Sequence, residues 1–165
     1  MWDAPVVVAA LIAGGVAMTS PIITFIVTKA YEKRFLERMP KGRQKALTGK
    51  WSGVGYQEIG PDGQPLDAKL SLDLIANGKT VTGTGDYTFR LRGTDYHIRI
   101  VLDGGFFHDR FLKLDYKNAD NTAVQFGAII TELSSEGRTL RGYYVGYGAI
   151  SERPVCGTLE VQKQA

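Results

Sequence analysis

The sequence predicts an all-β protein, an eight-stranded, up-and-down antiparallel β-barrel preceded by one transmembrane α-helix. Three observations lead to this prediction. Residues 4–28 contain no charged side chain, residues from 47 onward alternate between apolar and polar, and glycine occupies 20 of 165 positions. We therefore divide the chain into a transmembrane helix at 1–28, a basic juxtamembrane helix or linker at 29–46, and a barrel domain at 47–165.

The uncharged segment is long enough to cross a bilayer. Its 25 residues would rise about 37 Å as a helix, whereas the hydrocarbon core of a membrane is about 30 Å thick. Seven basic and two acidic residues follow between Lys29 and Lys45, and no basic residue precedes the segment. The positive-inside rule therefore predicts a single-pass protein whose barrel lies in the cytoplasm. Apolar residues continue the helical period through Met39, and Pro40 is predicted to end the helix.

One face of the predicted transmembrane helix consists of small residues, namely Ala9, Ala13, Ala17 and Gly14. Small residues allow the backbones of membrane helices to approach one another closely. The pattern therefore predicts self-association, and hence a homo-oligomer. The alternative is that it reflects only the ordinary abundance of alanine and glycine in membrane helices.

Eight strands can be drawn from the alternating pattern and the turn residues between the segments. Their predicted ranges are 48–58, 67–76, 80–90, 94–103, 110–118, 122–133, 138–150 and 155–163. The connections are short, and Asn77-Gly78 is a strong hairpin signal, so sequential strands should be antiparallel neighbours. A sheet with one apolar face closes into a barrel, and a flattened sandwich is the alternative.

The predicted inward face is apolar along most strands. It comprises Leu70, Leu72, Leu74, Tyr96, Ile98, Ile100, Leu102, Val124, Phe126, Ala128, Ile130, Leu140, Tyr144, Leu159 and Val161. Side chains of this size can fill an eight-stranded barrel completely. Trp51 is predicted to plug the membrane-proximal end, and Cys156 to be a small core residue. Phe106 and Phe107 either contact lipid or a neighbouring subunit, or pack beneath the barrel.

The connections after the first, third, fifth and seventh strands should meet at the end of the barrel that lies away from the membrane. That rim gathers tyrosines and cations, namely Tyr56, Arg90, Arg92, Tyr116, Lys117, Tyr147 and Arg153. Aromatic rings stack on bases, and arginine binds phosphate through charge-assisted hydrogen bonds. We therefore predict a binding site for a planar, phosphorylated ligand at this rim. An ordinary solvated rim is the alternative.

Several function classes find no support in the sequence. From residue 46 onward, 13 basic residues face 14 acidic ones, which does not indicate a DNA- or RNA-binding domain. His97 and His108 have no partner at metal-ligand spacing, so no metal site is predicted. No motif for catalysis or cofactor binding is present. The sequence therefore predicts a sensor or carrier without a cofactor, and not an enzyme.

A family resemblance is carried by the anchor, the basic linker and three stretches of the barrel. These are Thr-Gly-Lys-Trp-Ser-Gly at 48–53, Leu-Arg-Gly-Tyr-Tyr-Val-Gly-Tyr at 140–147 and Cys-Gly-Thr-Leu at 156–159. Together they resemble the Cap15-type membrane effectors of CBASS-like bacterial anti-phage defence. That family typically has two transmembrane helices, whereas one is predicted here.

The resemblance implies a barrel that recognises a cyclic di- or oligonucleotide made by a partner nucleotidyltransferase or polymerase. Occupancy of the barrel would control oligomerisation, and the clustered helices would then disrupt the inner membrane. Whether the ligand switches the protein on or holds it off is left open by the resemblance.

The first residues of the predicted barrel also support a second interpretation. Gly49 and Trp51, separated by one residue, resemble the start of the first strand in lipocalins. The alternative function is therefore a membrane-anchored, lipocalin-like carrier of an apolar small molecule. Such a carrier requires a hollow interior.

Overall fold

The computed structural model describes residues 36–107, 110–120 and 123–164. A short helix, α1 (Lys41–Leu47), precedes eight strands: β1 (Gly49–Gln57), β2 (Leu66–Asn77), β3 (Thr80–Leu91), β4 (Thr94–Phe107), β5 (Phe111–Asn118), β6 (Phe126–Leu133), β7 (Thr139–Gly148) and β8 (Arg153–Lys163). The predicted transmembrane helix at 1–28 lies outside the described residues. Within the described ranges, no helix has the length and apolar character needed to cross a membrane.

The eight strands form a closed barrel in sequential order, and β8 pairs with β1 to complete it. All neighbouring pairs are antiparallel. Each connection between sequential strands is too short to carry the chain across the barrel, and the even number of strands makes β8 antiparallel to β1. The hairpin predicted at Asn77-Gly78 is present, and Gly78 has the positive φ of 61° that its turn requires. The predicted up-and-down barrel is thus confirmed.

The segment before β1 differs from the predicted helix that ends at Pro40. Pro40 instead stands at the N-cap of α1, with φ −56° and ψ 145°. The residues from 36 to 39 are not helical, and the Glu37 amide donates to the Phe106 carbonyl at 3.1 Å and the Met39 amide to the Gly78 carbonyl at 3.0 Å. The chain thus reaches the barrel along the ends of β2 and β4, and Met39 is buried there.

The barrel end beside α1 is filled by apolar side chains, and we call it the plugged end. Trp51 is fully buried, and its indole Nε1 donates to the Leu47 carbonyl at 2.9 Å. The other fully buried side chains are Phe106, Leu47, Leu74, Leu112, Leu114, Leu140, Val81 and Val161. The predicted position of Trp51 as a plug is confirmed.

The end of β4 was only partly anticipated, because the strand continues to Phe107 instead of ending at 103. Since neighbouring residues of a strand point to opposite faces, the two phenylalanines are separated. Phe106 is 2% exposed in the core, and Phe107 is 43% exposed on the outer face. The prediction of packing beneath the barrel is therefore correct for Phe106 and wrong for Phe107.

The predicted inward face is wrong on β6. Phe126 and Ile130 are exposed, as is Val124 just before the strand, whereas Ile129 and Thr131 are buried. The reason is that the outward positions of this strand are more apolar than the inward ones, so hydrophobicity alone selects the wrong face. Cys156 is likewise exposed and is not a core residue. It alternates with Val155 and Gly157, which occupy the inward positions of β8.

Candidate ligand-binding site

The end opposite the plug, which we call the open end, contains a cavity. Its empty volume is about 790 Å³, including the solvent at its mouth. Apolar lining comes from residues such as Leu66, Leu70, Phe89, Ile98, Ile100 and Ile129, and polar lining from Gln57, Tyr87, Tyr116, Gln125, Tyr144 and Ser151. Among the described residues, those that line the cavity carry no formal charge. The prediction that inward side chains fill the barrel completely is therefore wrong for this half.

Three tyrosines project into the cavity from alternate strands: Tyr87 on β3, Tyr116 on β5 and Tyr144 on β7. Glycines on facing strands make room for two of them. A β-carbon on Gly146 would collide with the Tyr116 hydroxyl, and one on Gly157 would lie 2.7 Å from the Tyr144 hydroxyl. The absence of a side chain at these two glycines therefore provides space for the tyrosine rings.

The tyrosine hydroxyls are neutral hydrogen-bonding groups in this site. Burial raises the pKa of Tyr87 to about 12, although its hydrogen bond with Gln125 acts in the opposite direction. Burial also raises the pKa of Tyr116 to about 12, with a smaller contribution from Tyr87, and burial raises the pKa of Tyr144. Desolvation disfavours the phenolate, so each hydroxyl is available both to donate and to accept.

An aromatic wall continues from Tyr87 along the open end. Phe89 stacks against Tyr87 at a centroid distance of 6.0 Å and against Tyr96 at 5.3 Å. The alternation of β3 directs Tyr87 and Phe89 to the same face. A planar ligand entering the cavity would therefore meet ring faces or edges along this strand.

Among the described residues that line the cavity, only Gln125 has a buried side-chain atom without a hydrogen-bond partner. It is 7% exposed and lies in the connection between β5 and β6, where its carbonyl accepts a bond from the Asn118 amide at 2.9 Å. Its side-chain Nε2 donates to the Tyr87 hydroxyl, whereas its Oε1 has no partner among the described residues. Thr131 Oγ1 is also buried without a partner, but Thr131 does not line the cavity.

Of the predicted rim residues, only Tyr116 lines the cavity. Arg153 lies at the start of β8, and its guanidinium donates to the Gly60 carbonyl. That bond joins the β7–β8 side of the mouth to the β1–β2 connection. Arg153 is therefore placed to hold the mouth together, and its contact with a ligand stays a prediction.

The remaining predicted residues do not line the cavity. Tyr56 and Lys117 are exposed, and Tyr147 stacks on Phe126 at a centroid distance of 6.0 Å. Arg90 pairs with Asp95 at 3.8 Å, and Arg92 occupies the β3–β4 turn with φ 50°. The structure thus does not gather the predicted residues into one cluster. The predicted oligomerisation residues at 9, 13, 14 and 17 lie outside the described residues.

Tyr87 and Gln125 were not predicted as site residues, and Tyr144 was predicted only as an inward side chain. A signal for Tyr87 was available in the sequence. Tyr87 lies two and four residues after Gly85 and Gly83, so all three residues are on the same face of β3. Two glycines followed by a tyrosine on one face indicate an interior with space in it. Gln125 had no such signal, since a polar residue between Val124 and Phe126 is normally expected to point outward.

Comparison with known proteins supports the fold. A solved structure described as EF1p2_mFAP2b bound to DFHBI matches with a TM-score of 0.60 and 13% identity, covering 76% of this chain and 100% of that chain. The likeness establishes the barrel fold alone. No protein-family model matches the sequence, and no curated protein does.

Proposed function

We propose that this protein is a membrane-anchored effector of bacterial anti-phage defence whose barrel senses a cyclic di- or oligonucleotide. The observation that carries the proposal is the cavity at the open end, where Tyr87, Tyr116 and Tyr144 meet the buried amide of Gln125. Binding of a base requires aromatic rings that stack on it and neutral polar groups that form hydrogen bonds with its edge. The anchor and the defence role come from the sequence and its resemblance to the effector family.

The lining of the cavity indicates how such a ligand would be oriented. The uncharged interior cannot compensate the desolvation of a phosphate, because burying an unpaired charge is very costly. A base would therefore enter the cavity, and the phosphates would stay at the mouth. Arg90, Arg92 and Arg153 lie at this end of the barrel, where they could attract the phosphates without being buried.

Thermal unfolding of the full chain in detergent tests the proposal. The ligands are cyclic di-AMP, cyclic di-GMP, cyclic di-UMP and a cyclic triadenylate, each titrated over a wide concentration range. A ligand that binds only the folded state adds about 2.7 kcal/mol of stability at 100 times its dissociation constant. We expect a clear, saturable rise in the melting temperature with at least one of them. A folded protein that responds to none would contradict the nucleotide proposal.

Replacing Arg90 or Arg92 with alanine is expected to weaken binding of the responding nucleotide while leaving the barrel folded. Each arginine is exposed, so losing its attraction for phosphate should cost about threefold to tenfold in affinity, with a weaker dependence on salt. Calorimetric titration measures both effects. The control is Lys50→Ala, which removes an exposed cation near the plugged end. Unchanged affinity in both arginine variants would show that the phosphates do not bind near this turn.

A carrier of an apolar small molecule is the second candidate function. The uncharged and largely apolar lining of the cavity favours it, because small-molecule pockets are typically apolar with a few polar groups. Native mass spectrometry of the freshly purified full chain would detect a retained lipid or other apolar compound. A stoichiometric adduct that nucleotides do not displace would support the carrier over the sensor.

A further inference from the structure

We infer that two copies of this chain associate through one outer side of their barrels. Six apolar side chains, each at least 40% exposed, lie together on this side, which we call the apolar face: Val54, Tyr56, Phe111, Ile130, Tyr143 and Val145. Outward positions on β2, β3 and β4 are instead mainly polar, such as Asp73, Thr84 and Arg99. An apolar patch on one side of a monomer marks an interaction surface, and the apolar face is complementary to a second copy of itself.

The centre of the apolar face is a groove. Its floor is Thr158 on β8, which lies opposite Tyr56 on β1 and Tyr143 on β7 in the strand register. These three residues line an outer groove of about 1130 Å³, including the solvent above it. Tyr143 is 72% exposed, so a large ring stands beside a space that a second ring can occupy.

A two-fold axis between β7 and β8, parallel to the strands, makes the apolar face complementary to itself. Such an axis exchanges the two strands, so Tyr143 of each copy enters the groove over Thr158 of the other. The same rotation places Val145 over Cys156, its register partner, in the other copy. Each bulky side chain of β7 thus meets a small side chain of β8. The axis also keeps both plugged ends on one side, as two chains anchored in the same membrane require.

The charged edge of the apolar face has the same symmetry. Arg141 on β7 lies opposite Glu160 on β8, and Arg141 Nη2 is 2.6 Å from Glu160 Oε2. The axis places Arg141 of each copy over Glu160 of the other, so the two pairs form a cluster of alternating charge. Glu132 does not oppose this arrangement, because it pairs with Arg110 at 3.0 Å. Exposed ion pairs contribute little affinity, but they disfavour other alignments of the two faces.

The apolar face has the area that a stable dimer needs. Aromatic side chains have areas of about 150 to 250 Å² each, so six large side chains that are roughly half exposed offer on the order of 600 Å². A standard interface takes about 800 Å² from each partner. The small and charged residues around the apolar face supply the remainder.

Cys156 can report the interface, because it is the single cysteine of the chain and is exposed on β8. Facing sheets pack about 10 Å apart, so the two Cys156 side chains should lie within reach of a bis-maleimide of about that span. The experiment is cross-linking of the full chain in a mild detergent without added nucleotide. We expect more than half of the chain as a covalent dimer. The double variant Cys156→Ser with Ser71→Cys moves the thiol to an exposed position of β2 and should give at least tenfold less dimer.

A matched pair of substitutions separates docking from random collision. Ile130→Lys places a charge on the apolar face at a side chain that is 54% exposed, and Ile75→Lys makes the same change on β2 at one that is 59% exposed. Neither side chain is buried in the barrel, so both variants should fold. We expect Ile130→Lys to lower the yield of the Cys156 dimer at least tenfold, because the dimer would bury an unpaired charge. Ile75→Lys should leave the yield unchanged.

Charge reversal tests the alignment of the two copies. Arg141→Glu alone should lower the yield of the Cys156 dimer at least threefold, and adding Glu160→Arg should restore it. A folded parent that gives no Cys156 dimer would overturn the inference, and so would equal yields from the parent and Ile130→Lys. Association through the predicted transmembrane helices alone would cross-link the thiol on β2 as well as Cys156, and this result would also overturn it.

Discussion

Replacing Trp51 with alanine is expected to lower the free energy of unfolding by about 3 to 5 kcal/mol, the range for removing a large aromatic side chain from a core. Trp51 is fully buried at the plugged end. Its indole also provides the donor for the Leu47 carbonyl, which would lose a partner at the end of α1. Urea unfolding of the full chain, followed by circular dichroism, measures the change.

Two variants define what the Trp51 result means. Val54→Ala shortens a side chain of the same strand that is 59% exposed, so it should change stability by about 0.5 kcal/mol or less. Trp51→Phe keeps most of the aromatic volume and removes the indole donor, so its loss should be smaller than that of the alanine variant. An alanine variant as stable as the parent would mean that Trp51 does not hold the plugged end together.

Raising the pH is expected to destabilise the barrel through its interior tyrosines. The folded-state pKa of Tyr87 and of Tyr116 is about 12, compared with an ordinary value of 10.0. Above pH 10 the unfolded chain therefore loses these protons first, and stability falls until the folded-state pKa is reached. Each pKa unit corresponds to about 1.4 kcal/mol, so the two tyrosines together account for a loss of up to about 5 kcal/mol.

Stability curves from urea unfolding between pH 9 and pH 12 measure this loss, and ultraviolet absorbance reports ionisation of the tyrosines. Tyr116→Phe removes one of three buried groups and should reduce the alkaline loss by roughly a third relative to the parent, because Tyr87 and Tyr144 remain. Tyr143→Phe, at a position that is 72% exposed, should leave the loss unchanged. Ionisation of all tyrosines near pH 10 in the folded protein would show that the cavity does not shield them.

The barrel topology was predictable because turn residues and alternation are local signals. All eight predicted strands are present, and the ends of β1, β3 and β5 lie within a residue of their predicted positions. The face of β6 was not predictable in the same way. Its inward positions contain Gly127 and Thr131, and a β-carbon on Gly127 would meet the backbone of Val145 and Gly146 as well as the Tyr116 hydroxyl. Contacts made by other strands restrict which residue fits at a position, but the sequence pattern of the strand itself does not show them.

The sequence predicted the end of the barrel at which the candidate site lies, but not most of the residues that line it. The open end does carry the cavity, and Tyr116 does line it. Cations and aromatic residues near the strand ends nevertheless include outward side chains such as Tyr56 and Tyr147, because residues that differ by one position lie on opposite faces. Gln125 is a buried polar residue in the connection before β6, and an alternating pattern predicts apolar residues at inward positions.

The continuous pairing of the eight strands limits how two such barrels can associate. Each described strand has a paired neighbour on both sides, so no row of backbone donors and acceptors is left for another chain to extend. Two barrels therefore cannot join by sharing a sheet, and contact between them must use outward side chains. On β6 and β7 these are apolar at Ile130, Tyr143 and Val145, each more than half exposed. Substitutions on this face could change association while leaving the backbone ladder and the cavity intact.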